Sequence, residues 1–269
     1  SLIDLISYGA KGLIVVIPCI VITILLVQIL RKSLKISEKL SLLIAVGTSI
    51  CGATAIVALA PSIKAKKSEI TYAIANITIF GLFAMFLYPI FAHFLFSQDI
   101  VSAGLFLGSS IHETAQVAGS AMIYSDQYEE PNIIAVATVT KLIRNTLMVI
   151  VIPYLAHKSM SVQEKSYKIS AIFPYFVIGF IVFGCIRSLG DFYFLDNEIH
   201  LATWNNLIVV IKKIAEFFLI IAMAAVGFNT SFDNFRELGI KPFYIGLIAA
   251  TTVGISSILI ISIINNISI

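Results

Sequence analysis

Charge is scarce in this chain. Asp, Glu, Lys and Arg make up 12% of its 269 residues, where soluble domains carry about 25%. That excludes a soluble fold with a well-solvated surface. The net charge is only +3, and no basic tract interleaves with aromatics, so nucleic-acid binding has no support. Three cysteines, Cys19, Cys51 and Cys185, stand singly in apolar segments without metal or disulfide spacing. They read as small membrane-embedded side chains. No signal-peptide pattern opens the chain at Ser1. The period-two alternation of barrel strands is missing too.

What abounds is apolar length. Hydrophobic residues make up 59% of the chain, and the mean hydropathy is +0.99. A helix needs about 20 apolar residues to cross the hydrocarbon. Runs of that order cover 12–30, 70–96, 132–156, 168–186, 214–230 and 242–264. The sequence predicts an all-α polytopic membrane protein.

Two further segments, 40–61 and 100–124, are apolar but carry Gly and hydroxyl residues at their middles, "GTSICGATA" and "GSSIHETAQVAG". Basic residues test how they run, because they favour the cytoplasmic side. Lys and Arg are dense at 31–39, at "KAKK" (64–67), at 157–168 and at 229–241, while the connections at Asp99 and "DQYEEP" (126–131) carry none. If both odd segments dip in and return, every basic connection falls on the cytoplasmic side. The sequence therefore predicts six full spans and two re-entrant, broken-helix segments. Non-helical backbone at that depth requires burial in protein or a wet cavity, so the two tips are expected to meet near the midplane.

The two units also resemble each other. "GTSI" (47–50) pairs with "GSSI" (108–111), and "PIFAH" (89–93) with "PYLAH" (153–157). A hairpin plus one span is an odd number of crossings, so the second copy is inverted. A fainter pair matches Ser1, Gly9 and Lys11 with Ser231, Gly239 and Lys241. The domain reading is an amphipathic start and scaffold-type helix (1–39), an inverted-repeat core (40–157) and C-terminal helices (158–269). Within the core, hairpin 40–67 goes with helix 70–96, and hairpin 100–130 with helix 132–156. Inverted repeats around broken midplane helices are the mark of secondary transporters.

The stretches "GTSICGATAIVALAPSI", "GSSIHETAQVAGSA", "ATVTKLIRNTLMV" and "AMAAVGFNTSF" with "RELGIKP" resemble the YeiH family, integral membrane proteins described as sulfate exporters. The resemblance covers nearly the whole chain in order. It implies a relation to the cation–proton antiporter and anion transporter group, with a mobile core and a scaffold. Relatives continue upstream through further helices, so Ser1 is expected to fall where an early repeat helix ends.

Candidate chemistry starts with Lys141 and Arg144, three residues apart near the middle of 132–156. Each buried charge costs about 2.5–3.5 kcal/mol on insertion scales, so the pair requires an anionic substrate or a fixed salt bridge to Glu113. Thr48, Ser49, Ser109 and Ser110 mark the hairpin breaks, and Asn76 and Thr140 sit at cavity-lining positions; with the two cations they are the candidate substrate-binding set. His112, Glu113 and Gln116 are the proton-coupling candidates, or else a polar cluster that locks the hairpin. His-Glu-x-x-Gln is not a zinc site, since an amide is a poor zinc ligand.

The functional expectation is a secondary transporter of a small anion, such as sulfate or an organosulfonate, in the inner membrane. Alternating access would couple it to protons. A sodium-coupled transporter of an organic anion is the near rival, and a non-transporting membrane subunit a further one. No Ser-His or Asp-Asp pairing supports an intramembrane enzyme. No metal or cofactor is called for, the bilayer and the coupling ion are the other partners, and a homodimer is left open.

Overall fold

Helix caps and helix breaks set the path of the chain. The computed structural model describes residues 2–96, 99–159, 176–194, 198–229 and 238–267. Helix α1 (Leu2–Leu34) ends on Arg31 and Lys32, just before Lys35 turns left-handed at φ 56°. Ser37 then caps α2 (Glu38–Val46), its hydroxyl accepting from Leu40 N at 3.2 Å. The chain widens into one π turn, Gly47–Cys51, and breaks at Gly52. Gly52 has φ +66°, which a residue with a Cβ rarely adopts. Helix α3 (Ala53–Leu59) leads back out.

The return is fixed at the outer end. Lys39 Nζ donates to Lys64 O at 2.8 Å, and the Ser37 hydroxyl donates to Glu69 in the first turn of α4 (Lys67–Phe96). Residues 38–66 thus enter and leave by one face.

The second hairpin repeats this from the other side. Asp99 caps α5 (Ile100–Ser110), accepting from Val101 N at 3.0 Å and Ser102 N at 3.1 Å. The break runs through Ile111–Glu113 with extended backbone (ψ 141° and 144°), and α6 (Thr114–Tyr128) follows. His93, near the end of α4, stacks on Tyr128 with 3.7 Å between ring centroids. Helix α6 therefore ends at the face where α4 ends, opposite the first hairpin's face.

Helices α7 (Asn132–Thr146) and α8 (Met148–Ser159) carry the chain back across with a small irregularity at Leu147. Gly108 lets α5 lie directly on α7, its missing Cβ leaving room for Ala137 O and Thr140. Helices α9 (Phe176–Tyr193) and α10 (Glu198–Asn229) are tied by Trp204 Nε1 donating to Asp191 at 2.8 Å. Helix α11 (Lys241–Ile267) begins beside α4, where the Tyr72 hydroxyl donates to Gly239 O at 2.9 Å. It ends beside α5, where Asn265 Nδ2 donates to Ser102 Oγ at 3.0 Å. It thus runs with α4 and against α1.

Among the described residues, four helices are long and apolar enough to cross a membrane: Tyr8–Leu34, Lys67–Phe96, Asn132–Ser159 and Lys241–Asn266. They correspond to four of the six expected spans. The other two differ from expectation. Helix α9 contains 176–186 and continues to Tyr193, and α10 contains 214–229 but starts already at Glu198. Residues 198–226 contain neither Gly nor Pro, so nothing stops the helix upstream of the expected start at 214. Residues 168–175 and 230 of those spans, Lys165, Lys168 and Arg236, and Ser1 and Ser231 of the fainter repeat lie outside the described residues.

The protein is an all-α polytopic membrane protein built on inverted repeats, with two re-entrant hairpins. Each hairpin has its own apolar cluster. Leu43, Ile44, Ile56 and Leu59 pack with Val27 and Ile152, while Phe106, Leu107, Val117 and Tyr124 pack with Val15 and Ile261. Lys39, Lys64, Lys66, Lys67, Lys158 and Lys241 gather at the face where α1 ends. Asp99, Asp126, Glu129 and Glu130 stand at the other.

Candidate functional site

Helix α7 carries the two cations to mid-depth. Lys141 and Arg144 lie roughly 14–18 Å along it at about 1.5 Å per residue, near half of a hydrocarbon core of about 30 Å. Both are buried to within 1%, and at three residues apart they share a face. Helices α2, with its π turn, and α5 both point their C-terminal ends at this spot. The last carbonyls of a helix have no partners within it and carry the negative end of its dipole. Two such ends meeting in an apolar medium would repel and stay unsatisfied.

The cations resolve this. Lys141 Nζ donates to Ile50 O at 3.0 Å, to Ile111 O at 2.9 Å, and to His112 O. Arg144 Nε donates to Ser49 O at 2.6 Å, and its terminal nitrogens donate to Ser109 O at 2.8 Å, Ile111 O at 2.9 Å, and Thr48 O. Each cation takes carbonyls from both hairpins. The cost of burying two charges is offset by neutralising two helix ends, and the tips are clamped together.

This corrects the expectation of a fixed salt bridge to Glu113. Among the described residues no ion pair joins Lys141 or Arg144 to a carboxylate. Glu113 accepts instead from Ala53 N, the first amide beyond the Gly52 break. Gln116 Oε1 accepts from Glu113 N at 3.3 Å in the manner of a capping box, and its amide donates to Thr78 O at 3.3 Å. Glu113 therefore bridges the two tips from the side opposite in charge to the cations, anion to helix N-terminus where they are cation to helix C-terminus.

The other candidates divide sharply. All except Glu113 are buried. The Thr48 and Ser49 hydroxyls and both ring nitrogens of His112 are buried without a hydrogen-bond partner among the described residues. Ser110 and Thr140 are spent on their own helices, bonding Phe106 O at 2.5 Å and Val136 O at 2.8 Å. Ser109 Oγ is shared between Leu105 O and Ser257 Oγ, both at 2.6 Å. Asn76 is held by α11, donating to Pro242 O at 3.2 Å, while its Oδ1 is unpartnered.

Two kinds of participant escaped the sequence reading. Ser257 anchors the second tip to α11; a serine pair inside an otherwise aliphatic run was its signal. The carbonyls of Ile50 and Ile111 are backbone groups, which residue types do not announce.

Residues 1–246 match the family described as conserved hypothetical protein 698. This chain belongs to that family. It is 30% identical to a UPF0324 membrane protein of Fusobacterium nucleatum subsp. nucleatum over 96% of this chain and 78% of the relative. A UPF0324 membrane protein of Streptococcus agalactiae is 30% identical over 95% and 73%, and one of Bacillus anthracis 33% over 95% and 71%. No solved structure matches the chain. The family match spans both hairpins and the α7 cations, so the site lies inside the shared region.

Proposed function

We propose that this protein is a secondary transporter that moves a small anion across the inner membrane by alternating access, with a proton as the coupling ion. The observation that carries the proposal is the meeting of two inverted, broken hairpins at Lys141 and Arg144. Broken helices of opposite topology at mid-depth are the architecture in which one site can face either side in turn. Two buried positive charges beside the unpartnered hydroxyls of Thr48 and Ser49 and the unpartnered ring nitrogens of His112 favour an anion over a neutral or cationic substrate. A sodium ion would need oxygen ligands, and the tip carbonyls best placed to provide them are already held by the two cations. The motif resemblance to the YeiH family points to sulfate or an organosulfonate as the substrate class. The positive-inside rule places the lysine-rich face in the cytoplasm.

Glu113 supplies the coupling. Charged, it occupies the Ala53 amide and cancels part of the field of Lys141. Protonated, it raises the net charge of the site by one and holds that amide more weakly. Proton uptake and anion uptake then go together. The test is proteoliposomes loaded with a pH-sensitive dye and given sudden external sulfate, an organosulfonate or chloride. A preferred anion should drive proton movement in wild type and not in Glu113→Gln. A folded wild-type protein through which no anion of the panel moves, with or without protons, would refute the reading.

A further inference from the structure

A groove of about 870 Å³ opens between α1 and α8 toward the lysine-rich face. Its walls are apolar and turned outward: Leu25, Ile29 and Tyr154 are 57%, 66% and 61% exposed. A bilayer-facing surface is expected to look like that. The lip is what sets the groove apart, because Arg31, Lys32 and Lys158 all stand on it. Arg31 is already engaged, with Glu38 at 3.2 Å and with Gln28 Oε1 at 2.8 Å. Lys32 and Lys158 are exposed and have neither ion pair nor hydrogen bond among the described residues. Gln28 Nε2, in the groove wall, is a buried donor with no acceptor.

We infer that this groove seats an anionic phospholipid. An acyl chain fills the trough along Leu25 and Ile29, the phosphate lies at Lys32 and Lys158, and Gln28 donates to a headgroup oxygen. Three features meet here that a bare lipid-facing wall lacks: an apolar trough of about 870 Å³, two free cations at one end and an orphaned amide between. Anionic lipids enrich the cytoplasmic leaflet and are drawn to basic residues at that depth. A soluble phosphate would use the lysines without the trough, and a neutral lipid the trough without the lysines. The inference rests on the groove alone and stands apart from the transport reading.

Native mass spectrometry of the protein in mild detergent tests it. Phosphatidylglycerol, phosphatidylcholine with the same chains, and inorganic phosphate are titrated separately. Phosphatidylglycerol should bind in preference to phosphatidylcholine, and phosphate should not displace it. Removing both lysines (Lys32→Ala with Lys158→Ala) should weaken phosphatidylglycerol by about fivefold per lysine, on the order of 30-fold together. Leu25→Trp, which fills the trough and keeps the charges, should weaken it too. Lys66→Ala with Lys67→Ala, the same charge removed from the same face outside the groove, should leave it unchanged. Equal binding of the two lipids, equal loss in the control pair, or displacement by phosphate would overturn the proposal. So would full retention in the Lys32/Lys158 variant, which would mean that the lipid binds elsewhere on the protein.

Discussion

The two hairpins share a plan and divide the labour. The first turns by a π turn and a glycine at φ +66°, and its tip, Gly47–Cys51, has no acidic, basic or histidine side chain. The second turns through three residues of ordinary backbone and places His112 and Glu113 there. One tip offers carbonyls and hydroxyls; the other adds the titratable groups. Inverted duplication gives two half-helices whose like ends meet at mid-depth, a geometry that calls for cations. It does not require both tips to carry the same side chains, and only the second has a histidine and a glutamate.

The sharpest way to break this comparison concerns the direction of each hairpin. In a background without Cys19, Cys51 and Cys185, a cysteine at Lys66 should label only from the cytoplasm and one at Glu129 only from outside. Label from the same side at both positions would remove the inversion. Next comes the clamp. Arg144→Gln leaves several tip carbonyls from both hairpins without a donor, at about 1–3 kcal/mol for each buried group. It should destabilise the protein by roughly 3 kcal/mol or more, read as a large fall in Tm. An unchanged Tm would mean the tips are held by something else.

A smaller effect separates the two turns. Gly52→Ala must hold a strained φ and push its Cβ into the Glu113 carboxylate, which should cost about 1–3 kcal/mol. The second break has no left-handed residue to be sensitive in this way. Smallest in stability is the hydroxyl pair Ser49→Ala and Ser110→Ala. Both should stay within about 1 kcal/mol of wild type, yet only Ser49→Ala should weaken anion-induced stabilisation, because only its hydroxyl is unengaged. Equal loss of anion response in the two would erase the distinction drawn between free and back-bonded hydroxyls.

Much of this geometry could be read from residue types. Lysine placement predicted which way 40–61 and 100–124 run, since a full crossing at 40–61 would have put "KAKK" on the side opposite the lysines of 31–39, and one at 100–124 would have done the same to those of 157–168. Lys141 and Arg144 stood out because charge at mid-span demands a partner. What the sequence could not name was that partner. Glu113 was the obvious counter-charge, but the cations are satisfied by main-chain oxygens, and carbonyl exposure depends on where each helix stops rather than on which residue stops it. Ser110 and Thr140 looked equivalent to Ser49 for a related reason. Whether a hydroxyl folds back on its own helix depends on local helical geometry, and Ser49 sits in a π turn while the other two sit in α-helix.

In the proposed coupling, the Glu113 carboxylate competes with the substrate anion at the tips. Its most direct test is anion affinity from pH 5 to 8 in wild type and Glu113→Gln, measured by thermal stabilisation of purified protein. The sign follows from charge. Protonating Glu113 makes the site more positive and loosens its hold on the Ala53 amide, so wild-type binding should strengthen as pH falls. Glu113→Gln, neutral throughout, should bind with little pH dependence. Parallel pH profiles in the two proteins would contradict the account and leave Glu113 as a strut between the hairpins.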